Sequence, residues 1–341
     1  MTNGSHWETP RVSVLLPVRN GQRTLPAALR SVQRQEGVSW ECICVDDNST
    51  DGTWQLLQQF ACADPRFRVF PSPGKGIVAA LQFGLAHCRG ALVARMDADD
   101  AMHPQRLLRQ AEALDADPSL AGIGCRVRAF PAPHVRLGFR RYVRWLDGLE
   151  TPELVARERF IECPVLHPTM MFRRSTLERH AYRDTVWPED YDLILRLLES
   201  GEKLANLPQR LHFWRVHASK ASLTDARYSQ EQFARCKAYY LARGPLHPCD
   251  RYVLWGYGPT ARRLCRALRH QGKEPYAIVE VHPRRIGLTI RGAPVVPPHA
   301  LSSLPQLPLL VSVANPTARA LIRQYMGHTD RVEGRDWFFT A

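Results

Sequence analysis

Residues 91–100 read Ala91-Leu92-Val93-Ala94-Arg95-Met96-Asp97-Ala98-Asp99-Asp100. A short apolar run of this kind suits a strand buried in a parallel sheet. It ends in acid. Side chains at i and i+2 of an extended segment point the same way. Asp97 and Asp99 are therefore expected to converge where the strand leaves the sheet, with Asp100 beside them. Three carboxylates so close repel unless a cation or hydrogen-bond donors compensate. Oxygen-only ligation suits Mg²⁺ or Mn²⁺, and Mg²⁺ is often held by one or two carboxylates plus substrate phosphates. The same acids also suit the cap of a helix opening at Pro104, and the segment alone leaves both readings open.

The flanking sequence repeats this strand-then-polar-turn pattern. RVSVLLPV (11–18), ECICV (41–45) and RFRVF (66–70) read as strands. Between them, TLPAALRSVQRQ (24–35) places Leu25, Ala28, Leu29 and Val32 on one helical face, and GTWQLLQQFA (52–61) follows Asp51, a natural N-cap. GIVAALQFGLAHC (76–88) gives a third helix, and PQRLLRQAEALDAD follows the acids with Pro104 at its start. Strand–helix alternation implies an α/β fold, a mostly parallel sheet with helices on both faces. Ligands of such sheets sit beyond the carboxyl ends of the strands. Two further polar turns lie there: Pro17-Val18-Arg19-Asn20-Gly21 and Asp46-Asp47-Asn48-Ser49-Thr50-Asp51-Gly52. A carboxylate at such a place can accept from a base N–H or a ribose hydroxyl; equally, Asp, Asn and Ser are common turn and cap residues.

Length and composition bound the answer. At roughly 100–200 residues per domain, 341 residues suggest two domains or one large one. With 45% apolar and 23% charged residues, disordered and collagen-like classes are excluded. No apolar run approaches the ~18–20 residues that span a bilayer. The opening MTNGSHWETP has no apolar stretch of a signal peptide, so a cytoplasmic protein is expected. The net charge of +13 suits a phosphate-bearing ligand or peripheral contact with an anionic membrane at its inner face. No DNA- or RNA-binding motif accompanies the charge, so nucleic acid is not an expected partner. The nine cysteines, an odd number without a CxxC pair, read as reduced thiols.

The middle of the chain adds an arginine-rich stretch with Arg126, Arg128, Arg136, Arg140, Arg141 and Arg144, then His167-Pro168-Thr169. The arginines suit an anionic acceptor or a merely solvated basic face. The His-Pro-Thr run suits either an acceptor cleft or a packed loop. Glu189-Asp190 opens an apolar helix closed by Gly201. By themselves, acids in a first turn are accounted for by the helix dipole.

Taken in order, PVRNG, VDDNSTDGT, SPGKGIVAAL, ARMDADDAMHPQRL, HPTMMFRR and PEDYDLILRL resemble glycosyltransferase family 2, over roughly residues 11–225. The resemblance implies a GT-A fold and inverting transfer from a nucleotide-diphosphate sugar to a glycan or lipid-linked hydroxyl acceptor in cell-envelope polysaccharide or glycolipid synthesis. It implies that Pro17, Arg19, Asn20, Asp46, Asp47, Lys75, Gly76 and Asp97 hold the nucleotide. It places Mg²⁺ or Mn²⁺ on Asp97 and Asp99, with His217 of the Trp214-Arg215-Val216-His217 element beside the metal or the diphosphate. It makes Asp190 the catalytic base. Gln82 departs from the family, whose members often carry Asn there, which weakens any role for that side chain.

LARGPLHPCD (241–250) is the best linker, giving a transferase domain at 1–245 and a second domain at 251–341. The latter opens with a strand, Gly256-Tyr257-Gly258-Pro259-Thr260-Ala261 and a helix, the context of the dinucleotide fingerprint. Glu280 ends the next strand at the spacing of a ribose-binding acid. At 91 residues the unit reads as half of a Rossmann fold, bound to a nucleotide or purely structural; similar appendages occur behind some bacterial family 2 glycosyltransferases. A dinucleotide-dependent oxidoreductase and a noncatalytic nucleotide-sensing protein are the competing functions.

Overall fold

The computed structural model describes residues 9–218 and 220–341. The chain divides into two compact units. One takes the chain up to Val155 with Val165–Thr185 and Arg196–Lys220; the other takes Ala156–Pro164, Val186–Leu195 and Ala221–Ala341. The expected linker at 241–250 lies inside the second unit.

The first unit carries strands β1 (Val12–Val18), β2 (Trp40–Asp46), β3 (Phe67–Pro71), β4 (Leu92–Arg95), β5 (Ala101–Met102), β6 (Leu120–Phe130), β7 (Met171–Arg173) and β8 (Lys203–Arg215). They form one sheet in the order β3-β2-β1-β4-β7-β6-β8-β5. The first four run parallel. β7 is antiparallel to both its neighbours, β6 and β8 are parallel, and β5 is antiparallel to β8. Every residue of β1 and β2 is buried, which is why these strands read as continuous rather than alternating apolar runs. Leu25, Ala28, Leu29 and Val32 pack on Val12, Val14 and Leu16 in one core cluster. Helix Ile77–His87 rides close on the sheet because Gly84 has no side chain: a Cβ there would lie 2.9 Å from Val45 Cγ2 and closer still to Leu15.

Local expectations are adjusted in two places. The second helix, Thr53–Ala63, has Gly52 as its N-cap residue, and Asp51 serves from one position earlier, accepting from Thr53 N at 3.0 Å. The fourth helix starts at Arg106, not at Pro104, whose carbonyl is held by Glu36 N.

The second unit carries β9 (Arg251–Trp255), β10 (Glu274–Val279), β11 (Thr289–Ile290), β12 (Ala293–Val296), β13 (Leu309–Val311) and β14 (Trp337–Phe339), in the order β11-β12-β10-β9-β13-β14. All but β11 are parallel. The unit is therefore more than the half-fold expected. The short strands β12 and β14 supply what local sequence left out.

Candidate active site

Strand β4 delivers the acids. Its hydrogen bonding continues past its end: Arg95 N donates to Met170 O and Met96 N to Leu15 O. The chain then turns, with Asp100 N donating to Asp97 O at 3.3 Å. The three carboxylates offer oxygens within 4.8 Å of one another. They converge through this turn, not through the extended i, i+2 geometry that the sequence suggests.

The three acids are not equivalent. Asp100 is fully buried and both its oxygens are engaged, Oδ1 by Arg215 N at 2.7 Å and Oδ2 by His212 Nε2 at 2.8 Å. Arg106 Nη1 lies 2.9 Å from His212 Nδ1. A guanidinium can only donate, so Nδ1 accepts and Nε2–H donates to Asp100. Asp100 thus pins the turn to β8. Burial, opposed by Lys220 and reinforced by Asp97, pushes its carboxyl up to about 7.

Asp97 and Asp99 are the outward pair. Arg95 Nη2 holds Asp97 Oδ1 at 2.6 Å. Burial would raise the Asp97 carboxyl, but Arg95 and then Lys220 outweigh it and bring it down to about 2. Burial and the neighbouring Asp97 charge raise Asp99. His217 Nε2 reaches Asp99 Oδ2 at 2.8 Å, and Lys220 Nζ lies 3.4 Å from that oxygen and 4.0 Å from Asp97 Oδ2. One positive point therefore faces both carboxylates. That geometry and the hard oxygen donors fit a divalent cation. Arg215 Nε ties down the Asp99 carbonyl at 2.6 Å. Lys220, Arg95 and Arg106 were not singled out by the sequence.

The nucleotide-side residues gather at the ends of β1 and β2. Asn20 has a positive φ of 52°, its N–H donates to Ser49 Oγ and its Oδ1 accepts from Thr50 N, both at 2.8 Å. Asp47 Oδ1 accepts from Gly76 N at 2.8 Å, fixing the Lys75–Gly76 turn. Asp46 is buried; its Oδ2 takes Ser49 N at 3.3 Å, while Oδ1 has no partner among the described residues. Leaving such an acceptor unpaired costs about 1–3 kcal/mol, the kind of penalty a ligand donor relieves. Pro17 is buried, whereas Arg19 and Lys75 are exposed. Gln82 Nε2 donates to Tyr182 O at 2.7 Å, a tie within the scaffold. His167 is buried with Nε2 2.8 Å from Tyr182 Oη, so the His-Pro-Thr run is a packed loop.

Glu189 and Asp190 belong to the second unit. Glu189 is buried, and Tyr228 Oη donates to both its oxygens at 2.8 and 2.9 Å. Asp190 is only half-buried, with Oδ1 2.7 Å from Tyr191 N. Of the pair, Asp190 is the more accessible. In the same unit Gly256 and Gly258 form the turn after β9, and Glu280 follows β10.

Known proteins agree with this architecture. Glycosyl transferase family 2 matches residues 13–180. EpsE of Bacillus subtilis (strain 168), which carries the name of a glycosyltransferase, is 32% identical over 209 residues, 60% of this chain and 72% of that protein. The fold is shared with S. aureus TarS 1-349 in complex with UDP-GlcNAc, at a TM-score of 0.54 and 17% identity over 77% of this chain and 73% of that one. It is also shared with the mannosyltransferase PcManGT from Pyrobaculum calidifontis in complex with GDP-Man and Mn2+, at a TM-score of 0.53 and 18% identity over 77% and 70%. With its acid turn, its parallel sheet and these relatives, the chain belongs to glycosyltransferase family 2, the inverting nucleotide-sugar-dependent enzymes of GT-A fold.

Proposed function

We propose that this enzyme moves a hexosyl or similar unit from a nucleotide-diphosphate sugar to a glycan or lipid-linked hydroxyl, in cell-envelope polysaccharide or glycolipid synthesis. The observation that carries the site assignment is the single cationic point shared by Asp97 and Asp99. In this reading the pair holds Mg²⁺ or Mn²⁺, which when bound stabilises charge developing on the departing diphosphate. His217 and Arg215 orient Asp99. Asn20, Asp46 and the turn fixed by Asp47 receive the nucleoside, and Arg19 and Lys75 lend positive charge. Asp190 removes the acceptor hydroxyl's proton, and Glu189, clasped by Tyr228, fixes the start of its helix. The transferase chemistry is assigned to residues 1–245 and a separate binding role to 251–341.

The acceptor side is assigned from charge. From Ser119 to Leu146 there are six arginines and no Asp or Glu. Helix Leu137–Leu146 packs Phe139, Tyr142 and Val143 on Val127, Trp214 and Val216. Leu137, Arg140, Arg141 and Arg144 are exposed at i, i+3, i+4 and i+7, one outward face. An apolar residue among arginines suits an anionic lipid surface. No helix among the described residues is long and apolar enough to cross a membrane. Peripheral contact from the cytoplasmic side is the matching location.

A panel of nucleotide sugars with and without Mn²⁺, read by thermal shift, tests the reading, because a ligand at 100 times its Kd adds about 2.7 kcal/mol. Release of nucleoside diphosphate that depends on an acceptor supports transfer. Binding with no release on any acceptor would favour a nucleotide-sensing protein instead.

A further inference from the structure

The sheet of the second unit has a switch point, the place where open α/β sheets form a ligand crevice, among residues that the transfer reading does not use. β9 leads through helix Pro259–Arg269 to β10 on one side, and β13 leads through helix Pro316–Met326 to β14 on the other. The chain thus reverses its winding between β9 and β13, and ligands of open α/β sheets bind at such switch points.

Side-chain alternation fixes what points there. Tyr252 Oη contacts Cys265 Sγ at 3.3 Å, so its side of β9 faces helix Pro259–Arg269. Trp255 meets Tyr325 edge-to-face with ring centroids 5.4 Å apart, so it faces helix Pro316–Met326 on the opposite side. Val311 is in register with Trp255. Ser312 therefore falls beside Gly256, on the Tyr252 side, toward the beginning of helix Pro259–Arg269. Ser312 is only 6% exposed, and its Oγ finds no hydrogen-bond partner among the described residues.

The turn is shaped for close approach. Gly256 has φ +85°, and a Cβ there would lie 3.0 Å from Val313 Cγ2 and 3.2 Å from Ser312 O. At Gly258 a Cβ would meet nothing within 4 Å, so the backbone borders open space. Pro259 has no N–H, and the first intrahelical bond is Arg262 N to Gly258 O, so the N–H groups of Thr260 and Ala261 point out of the helix end. The acid expected to take a ribose is already engaged. Glu280 Oε1 accepts from Val281 N at 2.9 Å, and Oε2 pairs with Arg285 at 3.0 Å. Arg285 also donates to Tyr257 O at 3.4 Å, which places a cation beside the glycine turn.

We propose that this crevice binds the phosphate portion of a nucleotide. Phosphate oxygens accept from the first-turn N–H groups of helix Pro259–Arg269 and from Ser312 Oγ, and Arg285 supplies the counter-charge. The proposal stands apart from the transfer reading, since it uses none of those residues.

Calorimetry on the full chain tests it, with ADP, UDP and NADP⁺ as separate probes in EDTA to silence metal-dependent binding at the acid turn. One-to-one binding of at least one probe is expected, weakened about tenfold or more by Arg285→Ser and by Gly258→Asp. Ser312→Ala should weaken it several-fold. Arg285 is partly exposed, so its variant remains informative if Gly258→Asp fails to fold. The proposal is overturned if no probe binds at millimolar concentration. It is also overturned if Arg285→Ser binds as the parent does, or if binding disappears in Asp97→Ala and so belongs to the donor site.

Discussion

The ammonium of Lys220 lies 3.4 Å from Oδ2 of Asp99, inside the acid cluster that follows β4. A divalent cation bound by Asp97 and Asp99 must share their field with this lysine or displace it. Lys220→Met should therefore tighten Mn²⁺ binding in the absence of nucleotide by about threefold to tenfold, the effect of removing a like charge worth about 1 kcal/mol. Asp99→Ala should abolish Mn²⁺-dependent UDP binding and turnover while the chain stays folded. Calorimetry with Mn²⁺ alone, then with UDP, separates the two. Unchanged metal affinity in Lys220→Met would move the cation away from this pair.

Asp190→Asn preserves shape and removes the carboxylate to which the proposed mechanism gives the acceptor's proton. Donor binding should persist while turnover falls by about 10²–10⁴. Tyr228→Phe deletes the hydroxyl that clasps Glu189, and its effect on turnover should be smaller, with KM for the acceptor rising. Near-normal turnover in Asp190→Asn would return this residue to the role of a helix-terminal charge.

The pH dependence of stability follows from two buried groups with opposite signs. Burial, reinforced by Arg95, drives the His167 imidazole from 6.5 down to about 3. It stays neutral in the fold and takes a proton only on unfolding, so its contribution is complete above pH 6.5 and is lost as pH falls toward 3. The slope is about 1.4 kcal/mol per pH unit for one proton. Asp100, pushed from 3.8 up to about 7, keeps a proton that the unfolded chain releases, so its contribution falls as pH rises through that range. The two oppose each other between about pH 4 and 6.5. His167→Gln removes the first alone and should gain stability relative to the parent as pH falls. Urea titrations at a series of pH values would show this, and parallel curves would contradict it.

The arginine face of helix Leu137–Leu146 predicts binding to phosphatidylglycerol vesicles and not to phosphatidylcholine. Each arginine near an anionic surface is worth about 1 kcal/mol, so replacing Arg140, Arg141 and Arg144 with Ala should weaken binding about a hundredfold. Flotation assays at rising salt read this directly. Equal flotation of parent and triple variant would leave these residues as a solvated face.

Removing residues 246–341 tests how far the two regions are separable. Phe160 packs edge-on to Phe338 at 6.0 Å, and Lys237 Nζ donates to Ile161 O and Thr340 O. Arg323 pairs with Glu158 and Glu333. Cutting after residue 245 strips all of these contacts except Lys237 to Ile161, so the shortened chain should lose solubility or acceptor-dependent turnover. Full activity in a soluble 1–245 chain would contradict this.

What the sequence made legible was local. The runs of β1 and β2, the turn residues at their ends, and the glycine turn after β9 announce themselves because burial and φ constraints act within a few residues. The opaque features depend on distant partners. Lys220 meets Asp99 across 121 positions, and Arg106 meets His212 across 106. No periodicity marks such pairs. The Asp97–Asp100 turn was hidden for another reason: alternating acids look the same in an extended strand and in a turn. The Glu280–Arg285 pair is a further example of what spacing does not show: a ribose-acid position was legible, the cation five positions on that meets its carboxylate was not.

The interleaving of the second unit has a consequence for biosynthesis. Tyr191, next to Asp190, donates through its hydroxyl to Arg159 O, and the Arg159 guanidinium stands over the ring of Phe338 at 5.7 Å. Synthesis runs from the N-terminus, and domains fold as they emerge. Strands β1 to β8 can close into their sheet while the ribosome is still at work. The surroundings of Asp190 wait for β14, among the last residues to be added, so a nascent chain assembles its acid turn well before the environment of Asp190 is complete.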